Sequence, residues 1–88
     1  MIKKEIRIVN ELGIHARPAG MIANMSSRFT CDIKLIKDKI EVNAKSIMGI
    51  MTLAAGKDTV ITIVTNGADE IQALAAISEL FLKKFDEE

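Results

Sequence analysis

The sequence holds one histidine, His15, within Gly13-Ile14-His15-Ala16-Arg17-Pro18. An uncharged imidazole is a nucleophile and a proton carrier in the physiological range. A strand-like alternation ends near Val9 and a helical pattern starts at Ala16, which places His15 at the N-cap of a helix. The first N–H groups of a helix have no internal partners, and with the positive end of the dipole they suit phosphate. Arg17 adds a forked cation for phosphate oxygens. Pro18 fits the first turn, where its missing N–H costs nothing, and Gly13 allows backbone conformations that other residues resist. These residue types together suit phosphoryl chemistry at His15. A bare His-x-Arg also suits a solvated surface pair, so a second feature is needed to choose.

Asn43-Ala44-Lys45-Ser46-Ile47-Met48-Gly49-Ile50-Met51 supplies one. Ser46 precedes an apolar run and reads as an N-cap, a role worth ~1 kcal/mol. Its position also suits a phosphoserine, since a helix N-terminus favours added negative charge. Ile47, Met48, Ile50, Met51 and Leu53 cannot all face one core. Those left outside form a Met-rich patch, a surface that adapts to partners. The other reading of the run is that it is buried throughout.

The elements that must position these residues follow from periodicity. Glu5–Asn10, Asp32–Lys37 and Ile40–Asn43 alternate apolar with polar residues, and Thr59–Thr65 is β-branched and reads as a buried strand. Asp38-Lys39 separates two of these runs and predicts a hairpin. Helical patterns run from Ala16 to Arg28 and from Ile47 to Leu53. A third starts at Asp69, which with Gln72 resembles a capping box, and its buried stripe is expected to be Ile71, Leu74, Ile77 or Ser78, Phe81 and Phe85. Lys83 and Lys84 suit the negative end of that helix, whereas Asp86-Glu87-Glu88 oppose it and are expected to fray. The order is β-α-β-β-α-β-α. Half-polar strands imply an antiparallel sheet with helices on one side, an α+β fold.

The chain has 88 residues, 49% of them hydrophobic, which is enough for one domain spanning 1–88 with its own core. Twelve Lys and Arg balance twelve Asp and Glu, and the chain lacks Trp and Tyr. A nucleic-acid role, which needs a basic face and aromatic platforms, is excluded. No apolar run reaches the ~18–20 residues of a membrane span, and no secretory signal pattern follows Met1. The single cysteine, Cys31, cannot form an internal disulfide and fits a cytoplasmic setting, where it reads as a small buried hydrophobe. A structural zinc site needs about four Cys or His ligands. With two present, no metal is expected, and no cofactor.

Gly13-Ile14-His15-Ala16-Arg17-Pro18-Ala19 together with Lys45-Ser46-Ile47-Met48-Gly49-Ile50-Met51 closely resembles the HPr family, the histidine-containing phosphocarriers of the bacterial phosphoenolpyruvate-dependent sugar phosphotransferase system. The resemblance covers essentially the whole chain. It implies an open-faced β-sandwich, a four-stranded antiparallel sheet with three helices on one face. It implies a carrier rather than an enzyme, in which His15 takes a phosphoryl group on Nδ1 from enzyme I and passes it to enzyme IIA. Arg17 then stabilises the phosphate. Ser46 becomes a target of HPr kinase/phosphorylase, with a catabolite-control transcription regulator as a further partner of the modified form. Gly20, Met21, Ile47, Met48 and Met51 form the expected docking surface of a monomer. The alternative within the resemblance is a regulatory or nitrogen-related paralogue that acts in signalling. Gly20 and Asp58 depart from the family pattern, which has Ala or Thr at the first and commonly Gly at the second. The initial Met and the charged tail favour a free-standing protein.

Overall fold

In the computed structural model, which describes Met1–Glu87, the elements run β1 (Ile2–Arg7), α1 (Ala16–Ser26), β2 (Asp32–Lys37), β3 (Ile40–Asn43), α2 (Ile47–Met51), β4 (Val60–Asn66) and α3 (Glu70–Leu82). A short turn, Lys84–Asp86, follows. The strands form one antiparallel sheet in the order β1-β4-β2-β3. This is the α+β architecture and element order expected from the periodicity.

Strand alternation decides which face is covered. Ile6, Ile61, Ile63, Ile33 and Leu35 share the face that the helices cover, where all but the half-buried Ile6 are fully buried. Ile22, Ala23, Ala73, Ile77 and Phe81 close the core from the helix side. The other face carries Lys3, Val64 and Lys34 in one cross-strand row and Glu5, Thr62, Ile36 and Glu41 in the next. Asp38 turns the β2–β3 hairpin in the left-handed region, at φ 55. Asp accepts that conformation more readily than most residues.

Several expectations need correction. β1 covers Ile2–Arg7, not Glu5–Asn10, because its partner β4 begins at Val60, opposite Arg7. Helix α1 stops at Ser26 and α2 at Met51, both shorter than the apolar patterns suggested. Ile71 is 71% exposed rather than buried. Ala73, Ile77, Leu80 and Phe81 set the helix phase, and Ile71, two residues before Ala73, stands about 200° around the helix from it.

Asp69 precedes α3 but its side chain does not cap it. Its carboxylate instead accepts from the Thr30 and Cys31 amides, both at 2.9 Å, and from Thr30 Oγ1 at 3.3 Å. It therefore ties α3 to the start of β2. Glu70 instead accepts from Gly67 N, which braces the turn that leads into α3. The Thr30 amide above all, opposed by desolvation and helped by Cys31, lowers the Asp69 pKa to about 2. The unfolded value is ~3.9. A lowered folded pKa means stability that is complete above the unfolded value and lost as pH falls through about 2. Urea midpoints should fall between about pH 5 and about pH 2, and Asp69→Asn should flatten that fall. An unchanged slope would assign the acid sensitivity to other carboxylates.

Candidate functional site

The segment that leads to His15 is held from below. Ile14 N donates to Ala55 O at 2.9 Å, and Asp58 N donates to Ile8 O at 2.7 Å. Gly13 has φ +67, and a Cβ there would lie 2.6 Å from Ala55 O and 2.7 Å from Gly56 Cα. Only glycine allows this approach, so Gly13 sets the height at which His15 enters the helix. Asp58 adopts the left-handed conformation at φ 70.

His15 is the N-cap residue of α1, in extended backbone, yet its side chain makes no capping bond. Its carbonyl begins the helix by accepting from Ala19 N at 3.0 Å. Pro18 removes one donor from the first turn, and the Ala16 and Arg17 amides precede any possible partner within the helix. The ring is half-exposed. An amide-lined helix end and an accessible imidazole therefore share one surface.

Glu87 meets the ring, and Arg17 and Asn10 meet Glu87. His15 Nε2 lies 2.5 Å from Glu87 Oε2. Arg17 Nη1 donates to Phe85 O at 2.7 Å and lies 3.9 Å from Glu87 Oε2. Asn10, almost fully buried, donates through Nδ2 to Gly13 O and to Glu87 Oε1, each at 2.8 Å. Both acceptors need a donor, which fixes the orientation of the Asn10 amide. The Asn10 bond first, then the His15 bond and the nearby Arg17 charge, hold the Glu87 carboxyl below its usual range against some desolvation. Glu87 is thus a carboxylate at neutral pH.

The expected fraying of the tail is therefore wrong through Glu87, and Glu88 lies outside the described residues. Phe85 is fully buried and seats its ring edge-to-face on Phe81. That anchor carries Glu87 to the site, which sequence reasoning missed along with Asn10. The available signal was Phe85 itself, a large apolar residue just before the acidic tail.

The second expected feature divides as helix geometry requires. Ile50 and Leu53 are buried, whereas Ile47, Met51 and above all Met48, at 75% exposure, face solvent. Met21 is half-buried against the core, and a Cβ at Gly20 would meet nothing. Leu12, on the loop before His15, is a further exposed apolar residue that the sequence reading overlooked. Ser46 Oγ accepts from Gly49 N at 3.0 Å, the expected cap. Cys31 is buried, and burial pushes its thiol up, which suits a packing residue rather than a nucleophile.

No group of three or more His, Cys, Asp or Glu among the described residues could hold a metal ion. No helix among them is long and apolar enough to cross a membrane. A hollow of about 170 Å³, lined by Lys3, Lys34, Glu41 and Val64 among others, opens on the uncovered face of the sheet and shares no residue with the His15 cluster.

With a half-exposed imidazole at a helix N-terminus on this β-α-β-β-α-β-α scaffold, the fold and site define a class that the comparisons identify. The family described as "PTS HPr component phosphorylation site" matches residues 2–83. Phosphocarrier protein HPr of Treponema pallidum (strain Nichols) is 50% identical over 88 residues, the full length of both chains. Phosphocarrier protein HPr of Neisseria meningitidis is 44% identical over 87 residues, covering 99% of this chain and 98% of that protein. The crystal structure of HPr-C-His from Thermoanaerobacter tengcongensis superposes with a TM-score of 0.96 at 42% identity, covering 100% of this chain and 99% of that one. The chain belongs to the HPr family.

Proposed function

We propose that the chain is a phosphoryl carrier that accepts a phosphoryl group on His15 Nδ1 from enzyme I and delivers it to enzyme IIA in sugar uptake. The observation that carries this reading is a cap residue that does not cap: His15 occupies the N-cap position, yet its half-exposed ring leaves the helix amides to another ligand. Phosphate bound there would meet the Ala16 and Arg17 amides, the positive end of the helix and the Arg17 guanidinium. The open setting suits a substrate-like carrier working as a cytoplasmic monomer, because a labile phosphohistidine must be handed on to a second protein.

Enzyme I, enzyme IIA and HPr kinase/phosphorylase would dock on Gly20, Met21, Ile47, Met48 and Met51, whose flexible side chains adapt to different partners. The test is to supply phosphoenolpyruvate and a bacterial enzyme I, then an enzyme IIA domain. Acid-labile phosphate should appear on the chain and then pass on. No incorporation would overturn the reading.

Ser46 is assigned as a regulatory phosphorylation site, and its modified form as the ligand of a catabolite-control regulator. A phosphoryl group on Ser46 Oγ would add about two negative charges beside exposed Ile47 and Met48. Against an enzyme I surface that presents acidic residues, that charge weakens docking. Ser46→Asp should slow transfer from enzyme I roughly tenfold, equivalent to ~1.4 kcal/mol of lost docking. Equal rates would remove the inhibitory role. Ser46→Ala should keep the transfer rate and lose ~1 kcal/mol of stability with the cap.

A further inference from the structure

Glu87 reaches His15 from the far end of the chain, and both of its oxygens are committed: Oε1 to Asn10 Nδ2 at 2.8 Å and Oε2 to His15 Nε2 at 2.5 Å. Asn10 is braced in turn on Gly13 O, and the Glu87 side chain is only 14% exposed. This is a built contact rather than a loose surface pair. Resting on the phosphocarrier reading, we infer that Glu87 is a positioning residue for phosphoryl transfer: it fixes the His15 ring as the Nε2–H tautomer and balances the charge that the ring gains.

A carboxylate accepts and cannot donate, so the proton between the two groups lies on Nε2. In an uncharged imidazole the lone pair is then on Nδ1. No described group hydrogen-bonds to Nδ1, so it is available to react. In the transfer, the Nδ1 lone pair forms the N–P bond while the bond from phosphorus to the donor breaks, and its electron pair leaves with the donor. The ring keeps its Nε2 proton and becomes cationic. That charge develops opposite Glu87 Oε2, which stabilises it, and onward transfer reverses the steps. A carboxylate that holds a catalytic histidine in one tautomer plays the same part in serine hydrolases.

Glu87→Gln separates this role from a structural one. Glutamine is nearly isosteric and can still accept from Asn10 Nδ2, but its one carbonyl oxygen is then used. The amide nitrogen faces His15 Nε2 and can only donate, which selects the tautomer with the proton on Nδ1. Glu87→Ala leaves the tautomer to solvent. Transfer from enzyme I should therefore be fastest in wild type, slower in Glu87→Ala and slowest in Glu87→Gln, roughly tenfold or more below wild type. In parallel, ¹⁵N spectra of the uncharged ring should show the proton on Nε2 in wild type and on Nδ1 in Glu87→Gln. A merely structural contact predicts the reverse rate order, with Gln closest to wild type, and that order would overturn the inference. So would a Gln variant that keeps the wild-type tautomer. If wild type accepts no phosphoryl group, the carrier reading fails, and the inference falls with it even where the spectra confirm the contact.

Discussion

His15→Ala is expected to abolish acid-labile phosphate incorporation from phosphoenolpyruvate through enzyme I and to leave the fold nearly as stable as before. The large first effect follows from chemistry: with the imidazole gone, no other side chain at the α1 terminus supplies a nitrogen nucleophile. The small second effect follows from geometry. The His15 side chain makes no capping bond, and the carbonyl that starts the helix belongs to the backbone and survives the change. The loss is confined to one partly exposed contact with Glu87. Such contacts contribute ~0–1 kcal/mol, so Tm should move by no more than about 8 °C. The measurement pairs phosphate incorporation with thermal unfolding on the same sample. Residual incorporation at the wild-type rate would place the acceptor elsewhere.

Phe85→Ala is expected to lower stability by about 3–5 kcal/mol, among the largest effects of any single truncation. Phe85 is fully buried, with its ring centroid 5.0 Å from that of Phe81 at an interplanar angle of 66°. At ~4–8 °C per kcal/mol for a domain of this size, Tm should fall by on the order of 12–40 °C. The backbone enlarges the effect on the site. Lys84, Phe85 and Asp86 all have left-handed φ, at 54°, 54° and 60°. Residues with a Cβ resist this conformation by ~1–2 kcal/mol each, and burial of the Phe85 ring offsets that resistance. Without the ring the turn should open and carry away Glu87 and the carbonyl that Arg17 uses. Transfer from enzyme I should then slow as well. Phe85→Leu, which keeps most of the apolar volume, should retain most of the stability and the rate. A Tm fall of only a few degrees in Phe85→Ala would show that the core closes over the gap.

The main features of the fold were legible because they are periodic. Ile33 and Leu35 alternate with Asp32 and Lys34, and the structure buries the first pair and exposes the second. The face of the α2 run was legible in kind, since five apolar residues on so short a helix cannot share one side, but the members that turn outward depend on packing against α1. Ile71 was misread for the same reason: α3 is apolar nearly all round, so its phase is set by tertiary contacts and not by its own pattern. His15, Arg17 and Ser46 were readable from local rules, being a helix start, a neighbouring cation and a cap. Asn10 and Glu87 were not. Local electrostatics argues against acidic residues at the end of a helix, and only contacts with the other end of the chain reverse that. Asp69 is similar, a residue with a local capping signature that long-range amides recruit instead.

The strand order has a consequence for synthesis. β1 leaves the ribosome first, yet its one partner in the sheet is β4, with Ile2 opposite Thr65 and Arg7 opposite Val60. β2 can pair at once with β3, but it too awaits β4 for its other edge. The nascent chain therefore holds a hairpin and an orphan strand until the seventh decade of residues emerges. Such distant pairing slows folding and leaves a strand edge open to wrong partners meanwhile. Lys3 and Lys4 sit on that waiting strand, where their charge discourages pairing with another chain. The carboxylate beside His15 arrives later still. Its contact with His15 therefore forms only after every strand pairing has become possible.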